Sequence, residues 1–484
     1  MSKDQSTWVL SLLTLSLPLG GFVHTLTAHA GDWILAPGIT VEQVFTNNAK
    51  LNDEMLYDSI TNIVPRISAH REGSRAKLDL RFAPQYHYYW HQTEPDEWVN
   101  YLRADGEVEL YQDHLFVDGW ASANQHTIVS GGRTGIDNLT GTGDLTEVYD
   151  GGFSPYYTTR LGPYLAGEAR YTLDRVYYAE KGLDSSTKQR LDLVLGSGPS
   201  VRALPWQLHL EDSLVNYDDL EDNDRIRRLL GEVNYQLNRR WALAGTLGYE
   251  DYDMAVNSDR AGNLWGVGFV YTPSTRIHLA LGAGERFYGT DYSLDFSLRG
   301  KRVVWTANYG QDVTSARDEI EAQNTGLFAR QDEFGNLIRD PVLDSPIIPG
   351  YSGASLNAEY YLLDRFNTAF SFSTERTTLS LSAAYYQRDY EQDSPTPDTQ
   401  ETNLAAAVNR QLRQRIRGFV RLTWNDHVEE LNDYQQWIAS LGGSYILGEH
   451  TSLNLRLSHL DRNGDLDLNS YTEDQFSVAL QASW

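Results

Sequence analysis

The segment RAKLDLRFAPQYHYYW, residues 75–90, decides the fold of this chain because its side chains alternate between apolar and polar types. Successive side chains of a β-strand point to opposite faces, so this alternation predicts a strand with one apolar face. The apolar positions are Ala76, Leu78, Leu80, Phe82, Pro84, Tyr86, Tyr88 and Trp90, and the polar ones are Arg75, Lys77, Asp79, Arg81, Gln85 and His87. The apolar face ends in aromatic residues, which is typical of the interfacial girdle of a membrane strand.

The same alternation recurs along the chain, for example over residues 101–110, 291–300, 415–424 and 451–460. Many of these segments run for roughly ten to fifteen residues, whereas strands of soluble proteins usually have about five or six. A tilted membrane strand needs about nine to eleven residues to cross the hydrocarbon. Length therefore favours a membrane barrel over a soluble sheet more strongly than the alternation does.

Composition narrows the function classes. The 484 residues include no cysteine, which excludes disulfides, thiol chemistry and thiolate metal sites. A net charge of −26 argues against nucleic acid as a partner, because phosphate binding needs a basic surface. The mean hydropathy of −0.47 fits a membrane barrel, in which only alternate residues meet lipid. After residue 30 no apolar run of about 18 residues predicts a membrane helix.

Residues 1–30 have the pattern of a secretory signal peptide. The stretch from Trp8 to Val23 is largely apolar, and Ala28, His29 and Ala30 form an A-x-A cleavage site. We expect cleavage after Ala30 and a mature chain that starts at Gly31 in the outer membrane of a Gram-negative bacterium. Its expected partners are outer-membrane lipid, lipopolysaccharide and the barrel-assembly machinery.

Residues 31–484 are predicted to form one all-β domain, a transmembrane antiparallel outer-membrane β-barrel of about 22 strands, with 20 to 24 left open. The first strand is expected near 38–47 and the last at 472–484. Short turns alternate with longer acidic loops, the asymmetry of outer-membrane barrels. Long extracellular loops are predicted near 127–150 and 316–350. No plug domain is predicted before the first strand, which disfavours a plugged energy-coupled transporter.

The chain ends on QFSVALQASW, residues 475–484, with a terminal aromatic residue and apolar residues at every second position before it. This ending looks like the insertion signal of bacterial outer-membrane barrels. The signal residues are Phe476, Val478, Leu480 and Trp484, with Ala482 where an aromatic residue is more usual.

Four stretches resemble a family of outer-membrane barrels associated with exopolysaccharide biosynthesis and with PEP-CTERM/exosortase systems. They are DWILAPGITVEQVFTNN (32–48), DHLFVDGWASANQHTIVSGG (113–132), GGFSPYYTTRLGPYLAGEARYTLDRVYY (151–178) and ERTTLSLSAAYYQRDYEQ (375–392). The resemblance implies export of exopolysaccharide, with polysaccharide and periplasmic export components as partners. It implies no catalytic residues.

Motifs of metalloproteases, serine hydrolases, nucleotide-binding loops and dinucleotide-binding folds do not occur in the sequence. We therefore expect a non-enzyme without cofactor or metal. The informative polar residues have the parity of the barrel interior. We predict that the interior is lined by Asp79, Arg81, Arg103, Asp105, Glu107, Glu168, Arg170, Asp295, Arg299, Arg417, Arg421 and Arg456. They can form cross-strand pairs that stiffen a wide barrel, or a hydrated path for a sugar chain, and the two roles are compatible.

The predicted function is a channel that exports exopolysaccharide. The alternatives are a general or sugar-uptake porin and a non-conducting barrel that anchors a secretion complex. Loop 316–350 is longer than an ordinary connection and rich in apolar residues, so we expect it to fold inward and narrow the pore. The candidate constriction residues are Phe328, Arg330, Asp332, Glu333, Phe334 and Arg339.

Overall fold

The structure, a computed structural model, describes residues 33–324, 353–392, 394–430, 432–465 and 469–484. These residues form strand segments joined by turns and loops, with one α-helix and one 3₁₀ turn (Thr142–Asp144). The helix is α1 (Ala316–Asn324). The strand segments are β1 (Trp33–Thr46), β2 (Asp58–Glu72), β3 (Ala76–Phe82), β4 (Gln85–Tyr89), β5 (Glu97–Val99), β6 (Leu102–Tyr111), β7 (Leu115–Thr127), β8 (Leu145–Leu161), β9 (Leu165–Tyr178), β10 (Ser186–Ser197), β11 (Trp206–Tyr217), β12 (Asn223–Gln236), β13 (Trp241–Asp253), β14 (Arg260–Ser274), β15 (Ile277–Arg286), β16 (Gly289–Arg299), β17 (Val303–Ser315), β18 (Tyr360–Ser373), β19 (Thr377–Asp389), β20 (Thr399–Arg413), β21 (Ile416–Glu429), β22 (Tyr434–Ile446), β23 (Thr451–Gly464) and β24 (Tyr471–Ser483).

The 24 segments make 22 barrel strands, because two strands are each interrupted once. Pro84 lacks a backbone N–H and interrupts one strand, whose two parts are β3 and β4. The strand that pairs with it is interrupted between its own two parts, β5 and β6. The register is the same on both sides of the break: Phe82 pairs with Leu102, and Gln85 pairs with Val99. The predicted fold, an antiparallel outer-membrane barrel of about 22 strands, is confirmed.

The barrel closes between its first and last strands. β1 pairs antiparallel with β24 from Gly38↔Ser483 to Thr46↔Gln475, and the Trp484 N–H donates to the carbonyl of Pro37 at 2.9 Å. On the outer face of this seam the rings of Phe45 and Phe476 stack with centroids 6.2 Å apart. The first strand begins at Trp33, five residues earlier than the hydrophobic pattern suggested.

The two faces of the wall differ as the alternation predicted. Along β1, Ile39, Val41 and Phe45 are exposed outward, whereas Glu42 and Val44 are buried inside. Large apolar side chains cover the outer face of the other strands. Exposed aromatic residues lie near both of its ends, among them Tyr88, Trp90, Trp98 and Tyr177 at one end and Tyr111, Tyr164, Tyr235 and Tyr445 at the other. They form the two aromatic girdles that flank the lipid-facing band of an outer-membrane barrel.

The two ends of the barrel also differ. At one end, which we call the turn rim, short turns such as 73–75, 112–114 and 162–164 join the strands. At the other end, which we call the loop rim, the connections include 47–57, 128–144 and 316–359. In outer-membrane barrels the short turns are periplasmic and the long loops extracellular. Chain segments that fill the interior therefore enter it from the extracellular side.

Candidate functional site in the barrel interior

The strand registers place all twelve predicted interior residues on the inner face of the wall. Five of them cluster on neighbouring strands, where Asp79 pairs with Asp105 and Arg81 pairs with Arg103, with Glu107 next to them. The other seven lie on separate parts of the wall: Glu168 and Arg170 on β9, Asp295 and Arg299 on β16, Arg417 and Arg421 on β21, and Arg456 on β23. Their contribution to a solute path stays a prediction.

Loop 128–144 crosses the interior at the loop rim, from the end of β7 to the wall formed by β23, β24 and β1. Asp137 reaches Arg456 with 2.9 Å between carboxylate oxygen and guanidinium nitrogen, and the Ile136 N–H donates to Glu473. Leu139 is buried against interior side chains, and its carbonyl accepts from the Tyr89 hydroxyl at 2.9 Å. The loop is thus attached to the inner wall by both apolar and charged contacts.

Helix α1 crosses the interior from the end of β17 to β9 and β10. Arg317, almost fully buried, forms an ion pair with Asp174 on β9 and donates to the Ser186 hydroxyl at 2.9 Å. Lys188 on β10 lies 2.8 Å from Asp318 and 3.1 Å from Glu321. Buried charges are stable only when they are paired and hydrogen-bonded, so these contacts determine where the helix can lie.

The opposite face of α1 is attached to β18 and β19. Glu319 accepts from the guanidinium of Arg388 at 3.1 Å and from the Tyr361 hydroxyl at 2.6 Å, and all three side chains are buried. Arg388 also lies 3.7 Å from Glu401 on β20. Arg317, Asp318 and Glu321 thus bind the wall at β9 and β10, whereas Glu319 binds the opposite wall at β18 and β19.

The two connections that fold inward, 128–144 and 316–359, contact each other through residues 128–130 and 355–356. The Leu356 N–H donates to the Ile128 carbonyl at 2.9 Å, and the Ser130 N–H donates to the Ser355 hydroxyl at 3.0 Å. An apolar cluster joins residues of the helix, of 354–356 and of the wall: Val148, Val176, Tyr178, Ala316, Ile320, Ala354, Leu356, Tyr361, Leu363, Tyr386 and Tyr390. We call residues 128–144, 316–324 and 353–359 the mouth plug.

Two carboxylates of α1, Asp318 and Glu321, remain charged inside the barrel. Burial alone raises the pKa of Asp318, but Lys188 and Arg317 outweigh it and lower the pKa to about 2. The same balance holds for Glu321, where burial opposes the nearby cations and the pKa is lowered. The ion pairs of Asp318 and Glu321 with Lys188 are therefore intact at neutral pH.

Of the predicted inward loop 316–350, only α1 belongs to the described residues, and the residues that attach it to the wall were not predicted from the sequence. Arg317, Asp318, Glu319 and Glu321 share a short helix that it did not predict, and the inward course of 128–144 was not predicted either. The sequence signal for this attachment was the group of charged residues in the helix, because the interior wall carries charges of opposite sign. The proposed constriction residues, Phe328, Arg330, Asp332, Glu333, Phe334 and Arg339, lie outside the described residues.

The inner wall towards the turn rim is polar but open. Lys77 lies 3.8 Å from Glu107, His70 lies 3.1 Å from Asp79, and all four side chains are substantially exposed. Arg170 bridges Asp118 at 2.7 Å and Glu168 at 3.0 Å. This part of the interior has ion pairs without a covering segment among the described residues.

Within the described residues no group of three or more histidine, aspartate or glutamate side chains is arranged to hold a metal ion. No helix of the described chain is long and apolar enough to span a membrane. The described interior therefore presents hydrogen-bonding groups, ion pairs and aromatic rings.

No protein-family model matches the chain, and no curated protein matches its sequence. Solved structures do match. The FrpB iron transporter of Neisseria meningitidis (F3-3 variant) has a TM-score of 0.51 at 9% identity, covering 93% of this chain and 81% of that chain. The siderophore receptor PirA from Pseudomonas aeruginosa has a TM-score of 0.48 at 11% identity, covering 93% and 80%. The FrpB likeness shows the fold of an outer-membrane β-barrel.

Proposed function

We propose that this chain is an outer-membrane channel of the uptake type, a general or sugar-uptake porin that the mouth plug closes at the loop rim. The observation that carries the proposal is a charged, hydrogen-bonded interior across which α1 and loop 128–144 extend, each bound to a distant wall. Polar side chains on the inner face provide a wet path for a hydrophilic solute, and the plug limits entry from outside. The FrpB structure, which shares this fold, is named as a transporter.

The plug favours a small solute over a polymer. A polysaccharide needs a continuous opening, which requires that both inward segments leave their walls together. That movement separates buried pairs such as Arg317–Asp174 and Arg388–Glu319, and separating buried charges is costly. A small solute needs only a local opening between the two segments, at the contacts of Ser130 and Ser355.

Exopolysaccharide export is the second candidate, favoured by the four stretches that resemble barrels of exopolysaccharide systems. A structural barrel that does not conduct is the third. Both differ from the uptake channel in what passes: export requires passage of long neutral glycans, and a structural barrel passes no ions. Conductance and glycan flux therefore separate the three.

The absence of cysteine allows a clean test with an engineered cross-link. We expect the double variant S130C/S355C, which joins the two inward segments, to show low single-channel conductance when oxidised. Reduction with dithiothreitol should restore the wild-type conductance and its openings. The single variants S130C and S355C serve as controls and should not respond to either reagent.

A second variant should hold the mouth open. D318N/E321Q removes the carboxylates that bind Lys188 and should raise conductance, with D295N on the uncovered wall as the matched control. Vesicles containing the open variant should swell in isotonic neutral disaccharide but not in long dextran. Dextran passage through wild type would favour export instead. No ion current in any of these folded proteins would leave the structural barrel as the correct function.

A further inference from the structure

A cavity of about 470 Å³ opens on the inner wall towards the turn rim, away from the mouth plug. Side chains of β2, β3, β6 and β7 line it, among them Lys77, Asp79, Asp105, Asp118 and Trp120. The registers place these five residues on the inner face, where Asp79 pairs with Asp105 and Asp105 with Trp120. The cavity is therefore reached from the lumen.

The Trp120 indole extends over Gly152, the residue that faces it on β8 and has no side chain. A Cβ atom built on Gly152 would come within 2.7 Å of Trp120 Cζ2, so the indole occupies the space above this glycine. The Trp120 indole N–H donates to an Asp150 carboxylate oxygen at 3.1 Å, which determines the orientation of the ring. The ring is half-buried, and its remaining surface faces the cavity.

Aromatic and charged neighbours hold one side of the cavity rigid. Tyr156 stacks on Phe116 with ring centroids 5.1 Å apart, and the guanidinium of Arg170 lies 3.8 Å from the centroid of Tyr156. The Tyr156 hydroxyl donates to Glu107 at 3.1 Å, and Arg170 binds Asp118. These contacts orient two carboxylates that line the cavity before any ligand arrives.

The cavity carboxylates are held by ion pairs yet remain accessible. His70 binds Asp79, Lys77 approaches Glu107, and Arg103 donates to Asp105 at 3.1 Å. Each of the three carboxylates remains substantially exposed. Fixed carboxylates can accept hydrogen bonds from neighbouring hydroxyl groups of one ligand, while Lys77 and His70 can donate to others.

A flat indole ringed by fixed acceptors and a few donors matches the chemistry of a sugar ring, which has apolar C–H faces and hydroxyls at its edge. Carboxylates outnumber cations in the cavity lining, which disfavours a negatively charged ligand. We propose that this cavity binds a neutral saccharide, with Trp120 as the stacking platform. The inference rests on the proposed function and deepens it, because it names the class of solute that binds to the inner wall.

The test is equilibrium binding of neutral linear glucans, maltohexaose and cellohexaose, to the purified full-length barrel by isothermal titration calorimetry. We expect at least one glucan to bind wild type, with an affinity about five- to tenfold weaker in W120A. W120F, which keeps a ring, should retain most of the binding.

Matched carboxylate variants complete the test. D79N should weaken binding severalfold, whereas D295N, an exposed carboxylate on a distant part of the inner wall, should not. The saccharide site is overturned if neither glucan binds folded wild type, if W120A binds as wild type does, or if spermidine binds better than the glucans. Binding does not require an open pore. A barrel that binds glucan without conducting refutes only the channel, and one that conducts without binding refutes only the site.

Discussion

The two ends of the barrel interior carry the same kinds of residues in opposite environments. At the loop rim Arg388 and Glu319 form an ion pair whose side chains are 0% and 3% exposed, because α1 covers them. Towards the turn rim Lys77 and Glu107 form a pair that is 61% and 40% exposed. The first pair holds a segment of chain across the lumen, and the second leaves its charges available to water and solute.

The role of an interior ion pair therefore depends on whether a chain segment covers it, and not on its residue types. A buried pair that loses one partner leaves an uncompensated charge in a medium of low dielectric. An exposed pair that loses one partner exchanges it for water, and its contribution is about 0–1 kcal/mol. We therefore expect the inner wall to attach the plug at the loop rim and to contact the solute towards the turn rim.

The largest expected effect is at the covered end. E319A removes the carboxylate that the buried Arg388 binds at 3.1 Å and should destabilise the docked position of α1 by about 3–5 kcal/mol. Hydrogen exchange of the α1 amides should rise sharply, and conductance should increase. The control D79A, at the open end, should change neither. Equal protection of α1 in wild type and E319A would contradict the assigned role of this pair.

The second-largest expected effect is the difference between an arginine on the inner face and an arginine on the outer face of the wall. Leu294 and Ser293 are neighbours in the middle of β16, and the register places Ser293 inside and Leu294 outside. L294R should cost about 2–4 kcal/mol because arginine would face lipid, whereas S293R faces the wet lumen. The folded fraction on heat-modifiability gels checks this difference. If both variants assembled equally well, the assigned faces would be reversed or the outer face would not meet lipid.

An acid titration tests the covered end without mutation. Since the pKa of Asp318 is lowered in the folded protein, its contribution to docking is present above its ordinary pKa of 3.8 and is lost as pH falls towards 2. The lowering corresponds to about 2 kcal/mol. The Lys188–Asp318 contact should not weaken between pH 7 and pH 5, and its loss should raise conductance below about pH 4. In D318N that acid-induced rise should be smaller.

The smallest expected effect is at the open end. Raising sodium chloride to 1 M screens exposed pairs such as Lys77–Glu107 and should change the free energy of unfolding by less than about 1 kcal/mol. The buried pairs of α1 are screened much less, so hydrogen exchange of the helix should not change. Loss of α1 protection in 1 M salt would show that the plug is not attached by buried pairs.

The fold was predictable because membrane strands leave a local signal. The alternation in residues 75–90 gave the correct inner and outer faces, and the strand at the chain end was predicted within one residue as β24. The interruption at Pro84 was not predicted, although it leaves the register unchanged. The start of β1 was predicted too late, since Trp33 extends the strand towards the turn rim.

The interior site was predictable only in part. Parity placed Asp79, Arg170 and Arg456 on the inner face, because parity depends on adjacent residues alone. Which of them would be covered was not predictable, since Arg456 meets Asp137 from a loop 319 positions away in the chain. The cavity at Trp120 also needed the fold, because the space for the indole comes from Gly152 on the next strand.

The sequence by itself determined the barrel, its approximate strand number and the side that each strand residue faces, because these follow from a repeat of two residues and from strand length. Only the tertiary structure decided which interior charges are dry and which are open. Closing the barrel brings α1 against β9 and β10 and places loop 128–144 against β23 and β24. Burial of a charge depends on such neighbours, which are far away in the sequence. No local sequence pattern shows how close they come in space.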